Sequence, residues 1–148
     1  MTYSRSNWFT RAQAKESAMS SNIQQAHDNL YAALNVMLAG DPAPMHDVWS
    51  DSDDTTFGGP FGGTSKGAKA IRDNFTMQAN LNLGGNLVAN DVTIVEGSDI
   101  GYSFCTEVGT DHTMNGELGN LVHRATNIFH LEDGSWKLIH HHTDASGV

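Results

Sequence analysis

Arg124-Ala125-Thr126-Asn127-Ile128-Phe129-His130-Leu131-Glu132-Asp133-Gly134-Ser135-Trp136-Lys137-Leu138-Ile139-His140-His141-His142-Thr143-Asp144 is the stretch on which the fold turns. Two runs rich in apolar, aromatic and β-branched residues flank Glu132-Asp133-Gly134. Gly134 can take the left-handed conformation that a tight turn demands, so the stretch reads as a β-hairpin. Both alternating sets of side chains contain groups worth burying, which places the hairpin at the centre of a curved sheet. Alternation separates Lys137, Ile139, His141 and Thr143 from Trp136, Leu138, His140 and His142. The partners across the hairpin depend on the turn. A three-residue loop sets Arg124, Thr126 and Ile128 with His140 and His142, and Ala125, Asn127 and Phe129 with His141; a two-residue loop exchanges them.

Working outward, strands are expected over residues 87–95 and 100–108, ahead of the hairpin strands 121–131 and 136–143, with Gly, Asn and Asp at the joints. The first half of the chain reads as helix. Residues 10–39 are helical in composition, with Ile23, Ala26, His27, Leu30, Leu34, Met37 and Leu38 on one stripe and Gly40 as the C-cap. Ser21-Asn22-Ile23-Gln24 offers a capping box and a second possible start. Pro42 suits the first turn of a short helix through Met45 and Val48. Residues 55–57 are extended, and Gly58-Gly59-Pro60-Phe61-Gly62-Gly63 forms a loop. Thr64 or Ser65 then caps a helix to about residue 81, with Ala68, Ile71 and Phe75 on its core side. Helices first and strands second, with short joints, predict an α+β fold with helices packed on one side of a bent, mostly antiparallel sheet.

At 148 residues the chain is sized for one domain with a real core. We divide it into an arm or helix extension over residues 1–20, a domain over 21–144 and a tail over 145–148. Trp8 and Phe9 in the arm are candidates to dock on a neighbouring subunit. Eight Lys and Arg against seventeen Asp and Glu give a formal charge of −9, which repels nucleic acid and anionic lipid. One cysteine, Cys105, cannot form an internal disulfide, and no apolar run suggests a signal peptide or membrane span. These features point to the cytoplasm.

The run Asp133-Gly134-Ser135-Trp136-Lys137-Leu138-Ile139-His140-His141-His142, Arg124-Ala125-Thr126 before it, and Trp49 through the glycine loop to Gly67 resemble the SnoaL-like branch of the nuclear transport factor 2-like superfamily. That resemblance implies a cone in which the long helix closes over a strongly curved sheet, a pocket at the wide end, and a homodimer through the sheet's outer face. It also favours the three-residue loop, because two pocket arginines of the kinase association domain fall at Asn127 and Thr143, which must then face inward together. The superfamily spans isomerases, cyclases, epoxide hydrolases, dehydratases and association domains, so activity must be argued from the site. The tyrosine and aspartate of ketosteroid isomerase fall at Ala33 and Gly59, and the association domain's arginines at Asn127 and Thr143. None of those groups is present.

The candidate acid/base residue is His141, whose ordinary pKa lies near neutrality, with Asp47 and Tyr31 as partners. Pocket candidates are His27, Trp49, Phe57, His123, Asn127, Phe129, Ile139 and Thr143. Arg124, Thr126, Trp136, Leu138, His140 and His142 are assigned to the outer, dimer-forming face. His140 and His142 lie about 7 Å apart between Cα atoms, a chelating distance, but no third ligand has a recognised spacing, so no metal is assigned. The glycine loop lacks the Lys-Ser/Thr of a phosphate cradle, and no cofactor is called for. Two functions are expected to compete: a homodimeric pocket protein for a small, partly apolar organic molecule, with acid/base isomerase, cyclase or hydrolase chemistry, and a non-catalytic association domain with a vestigial pocket.

Overall fold

The structure, a computed structural model, describes residues 22–146. The arm, with Trp8 and Phe9, therefore lies outside the described residues. Helix α1 spans Ile23–Leu38. Its cap is Asn22, one residue later than the expected Ser21 box: the Asn22 side chain accepts from the Gln25 backbone N–H at 2.8 Å, satisfying a donor the first turn leaves free. The apolar stripe is buried except for half-buried Leu38, and Tyr31 and Ala33 are buried with it. Asn35 ties α1 to the sheet, its side chain exchanging two hydrogen bonds with the Leu87 backbone at 2.8 and 2.9 Å.

Helix α2, Ala43–Val48, follows Pro42 as expected. Strand β1 is Thr56–Gly58 and β2 is Ser65–Lys66. Helix α3 runs over Ala68–Asn80, later than expected, with Gly67 at the cap position and no side-chain cap. Thr64 and Ser65 do not cap it, because Ser65 is used to pair β2 with Phe57 of β1. Ile71 and Phe75 face the core as read, Gln78 is buried with them, and Met77 is exposed.

The long strands are β3 (Asn86–Glu96), β4 (Ile100–Met114), β5 (Glu117–Glu132) and β6 (Ser135–Ala145). β4 and β5 extend past the expected ends into a second hairpin through Asn115 and Gly116, both at positive φ. The six strands are ordered β2-β1-β6-β5-β4-β3. All pairs are antiparallel except β1 with β6. The sheet is open and curled, and the helices pack against one face, the α+β arrangement expected. Gly101 permits α1 to approach the sheet closely, since a Cβ there would stand 2.3 Å from Ile23 Cδ1.

The β5/β6 hairpin has the two-residue turn rather than the favoured three-residue loop. Glu132 pairs with Ser135, so the turn is the two residues Asp133 and Gly134, at φ 50° and 79°. The register then shifts: Phe129 pairs with Leu138 but Ile128 with His140, leaving Ile139 as an unpaired extra residue. This β-bulge reverses the facing of β6 partway along. Asn127 pairs with His141 and Ala125 with Thr143, as the three-residue loop required, but before the bulge Trp136 and Leu138 also face inward. Trp136 and Leu138, expected on the outer face, are instead 5% and 0% exposed in the core.

Candidate functional site

Between α1, α2, α3 and the inner face of the sheet lies a cavity of about 60 Å³. Most of its wall is apolar: Leu30, Leu34, Met37 and Leu38 from α1, Met45 from α2, Phe75 from α3, and Leu83, Leu87 and Leu121 from the loops and sheet. Trp49, Phe57, Pro60 and Phe61 complete it from the β1 side. Polar groups enter from the inner-facing positions of three strands, Glu107 on β4, His123 on β5 and His141 and Thr143 on β6, joined by Gln78 and His112. Among the described residues, no Lys or Arg lines the cavity.

Behind this wall runs a buried hydrogen-bond chain. His27 Nδ1 meets Ser103 Oγ at 2.8 Å, and Asn127 Nδ2 donates to Ser103 Oγ at 3.1 Å and to the Tyr31 hydroxyl at 3.3 Å. Tyr31 donates to Glu107 Oε1 at 2.9 Å, and its oxygen lies 3.1 Å from Cys105 Sγ. Asn127 Oδ1 faces His141 Nδ1 at 2.5 Å. The chemistry of the partners orders the protons. A carboxylate only accepts, so the tyrosine proton points at Glu107 and its oxygen accepts from the Asn127 amide. The Asn127 carbonyl must then take a proton from His141, which puts the ring hydrogen on Nδ1 and the lone pair on Nε2. That nitrogen is 3.8 Å from Glu107 Oε1.

Burial pushes the Glu107 carboxyl up, but neighbouring His123, His141 and the Tyr31 hydroxyl outweigh it and hold it below its ordinary 4.5. His123 Nδ1 stands 3.9 Å from Glu107 Oε2. Burial lowers His141, and the Glu107 charge only partly opposes that. The pair at neutral pH is therefore a neutral imidazole beside a carboxylate. Such a histidine can accept a proton at Nε2, and the carboxylate stabilises the imidazolium formed. Phe57 stacks on the ring, centroids 5.7 Å apart and planes 11° from parallel, which fixes its orientation. Tyr31 is held protonated by burial and by the Glu107 charge, and Cys105 is pushed up by burial to about 11.

The sequence matches the SnoaL-like domain family over residues 23–144. The chain belongs to that family. Solved structures share its nuclear transport factor 2-like, cystatin-like fold. A Streptomyces avermitilis protein assigned as a dehydratase of the NTF2-like family is 20% identical, with 86% of this chain and 95% of that one covered and a TM-score of 0.75. One assigned as a calcium/calmodulin-dependent protein kinase type II association domain, from Thiobacillus denitrificans, is 19% identical over 86% and 98% of the two chains, with a TM-score of 0.73. A ketosteroid isomerase-like protein from Erwinia carotovora atroseptica is 15% identical over 85% and 95%, with a TM-score of 0.71. No curated protein matches in sequence. At these identities the structural likeness speaks for the fold alone.

Within this SnoaL-like domain, the candidate residues divide. Trp49, Phe57, His123, His141 and Thr143 lie in the cavity wall. Tyr31, His27 and Asn127 are buried behind it in the hydrogen-bond chain, and Phe129 is in the core. Ile139, the bulge residue, is absent from the wall. Asp47 is exposed on α2, outside the cavity, lining a surface cleft with His46 and Lys137; the carboxylate beside His141 is Glu107, which the sequence reading missed. Arg124, Thr126, His140 and His142 are on the outer face, where Arg124 pairs with Asp144 at 2.5 Å and His140 Nδ1 meets Thr56 Oγ1 at 2.7 Å. The His140 and His142 ring centroids are 6.3 Å apart. Among the described residues, no three His, Cys, Asp or Glu side chains are grouped to hold a metal, and no helix is long and apolar enough to cross a membrane.

Proposed function

We propose that this SnoaL-like protein moves a proton on a small, neutral, largely apolar organic molecule, in an isomerase, dehydratase or cyclase type of reaction. One observation carries the reading. His141 Nε2 stands 3.8 Å from Glu107 Oε1 in the wall of an apolar cavity, with its other nitrogen held by Asn127. His141 is the base, Glu107 stabilises its protonated form, and Asn127 and Tyr31 position the two. A buried carboxylate with no Lys or Arg beside it among the described residues repels anions, so acids and phosphates are poor ligands there.

The test uses nitroethane, a small neutral carbon acid, and follows its deprotonation by NMR in deuterated water. The wild-type protein should accelerate exchange, and His141→Ala should lower the rate constant about 10²-fold or more. Glu107→Gln should lower it by a smaller factor and leave the cavity intact. Exchange no faster with wild type than with His141→Ala would sink the proposal.

A second reading, a non-catalytic association domain, draws on the outer face of the sheet. There Val95, Ile100, Tyr102 and Phe104 are 41–50% exposed on adjoining positions of β3 and β4. An apolar patch of that kind favours contact with another protein surface. Under this reading every cavity variant leaves function unchanged.

A further inference from the structure

On the opposite face of the sheet from the cavity, a cleft of about 300 Å³ lies between the glycine loop and strands β2, β1 and β6. Thr56 and Gly58 flank the inward Phe57 and therefore face outward. Thr56 pairs with Lys66 on one side and His140 on the other, and Gly58 pairs with His142 two residues along. Paired residues project from the same side of a sheet, so the lysine and both imidazoles border one opening. Gly58 leaves room for the His142 ring, since a Cβ there would stand 3.3 Å from its Cδ2. His140 bonds Thr56 through Nδ1, which leaves Nε2 for another partner.

Charge around this opening is unbalanced. Lys69, Arg72 and Arg124 pair with Asp73, Asp51 and Asp144, and Lys137 donates to the Asp47 carbonyl. Among the described residues, Lys66 has no such partner, and no Asp or Glu lines the cleft. Asp144, the next outward residue of β6 after His142, is held by Arg124, whose Nε lies 2.9 Å from Oδ1. An uncompensated lysine beside two imidazoles, in a chain of formal charge −9, makes a local positive site. Across the cleft stand Gly62 and Gly63, at φ 86° and 72°, where an added Cβ would meet nothing within 4 Å. Backbone without side chains lets an anion come close to the peptide N–H groups.

We propose that this outer cleft binds a single phosphate group, with Lys66 and His142 as its charged contacts and His140, Thr64 and the Gly62–Gly63 backbone as further donors. Lysine and peptide N–H groups only donate, so the ligand must present acceptor oxygens. Donors on the strand side and on the loop side suit a tetrahedral oxyanion better than a flat carboxylate. The charge of Lys66 at the same opening opposes a metal ion on the two histidines. The net charge of the chain opposes a membrane or nucleic acid, which would bring many phosphates at once. What remains is inorganic phosphate or the monoester of a small molecule. The loop lacks the sequence of a phosphate cradle because its lysine arrives from β2 and its imidazoles from β6. The cleft spans β2, β1 and β6, while the exposed apolar side chains of β3 and β4 lie beyond β5, so the two surfaces do not compete for the same strands.

Inorganic phosphate is the probe, titrated into ¹⁵N-labelled protein at pH 7 and constant ionic strength, with chloride as the reference salt. The His142 imidazole signals, identified by their loss in His142→Gln, should move together with the Gly62 and Gly63 amides and saturate. Lys66→Met removes an exposed charge and should weaken binding about tenfold. Lys69→Met removes the same charge from the paired lysine of α3 and should change binding by less than about twofold. Phenyl phosphate binding more tightly than the inorganic ion would identify a monoester as the ligand, and equal or weaker binding would identify the free ion. Signals that phosphate leaves in place, or equal weakening by the two lysine variants, overturn the proposal. Imidazole signals that move with Zn²⁺ but not with phosphate overturn it as well, and make the histidine pair a metal site.

Discussion

At the scale of single residues, the site rests on histidines kept neutral inside the protein. His27 and His141 are both lowered from 6.5 by burial. The unfolded chain therefore binds more protons than the folded one once the pH drops below about 6.5, and stability falls with further acidification. Above that value the two states hold the same charge on these rings and the contribution is fully present. Glu107 adds a second, lower window: its stabilising contribution holds above 4.5 and is lost as pH falls through its lower folded value. We expect urea midpoints to decline between pH 7 and 5, with a shallower decline in His27→Gln. A midpoint that is flat across that range would contradict neutral burial. His141 was legible as a candidate because three successive histidines must place one on the other face from its neighbours. Glu107 was missed, although it shares the inward parity of Ser103 and Cys105 on β4. A lone carboxylate in a strand resembles a solvent-facing residue until the strand's partners are known.

At the scale of elements, the hairpin was legible as a hairpin but its sidedness was not. Alternation assumes an unbroken ladder, and Ile139 breaks it. The expected outer position of Leu138 would make truncation nearly harmless, within about 0.5 kcal/mol. Buried as it is, at 0% exposure beneath Phe129, Leu138→Ala should cost about 2–5 kcal/mol, measured by urea unfolding. A cost under 1 kcal/mol would argue against the bulge. The start of α3 was also misread, because Thr64 and Ser65 look like caps while the chain needs Ser65 for β2 and turns into the helix at Gly67, φ 83°. Helix α1 was read more closely, since its apolar stripe has the helical period and Asn22 is itself a strong cap.

At the scale of the molecule, the order of helices before strands was enough to place the chain in an α+β class, and the terminal hairpin with the glycine loop pointed to the SnoaL-like fold. Assembly is a property of the whole surface. Val95, Ile100, Tyr102 and Phe104, with Val122 from β5, leave the outer face apolar, while Arg124, His140 and His142 border it. We expect a homodimer through this face. Sedimentation of Phe104→Asp should give a monomer with an unchanged far-ultraviolet spectrum, whereas a wild-type protein that sediments as a monomer at micromolar concentration would refute the interface.

The bulge at Ile139 also bears on folding fidelity. Were β6 an even ladder, sliding it by one residue would exchange one inward set for the other and leave a plausible competitor. Here the apolar pair Trp136 and Leu138 and the polar pair His141 and Thr143 lie on opposite parities of the sequence, yet all four are inside. Any register that aligns β6 without the kink must turn one pair out to water. Only the native alignment satisfies both, so the irregularity that hides the strand's pattern from the reader protects the chain from mispairing.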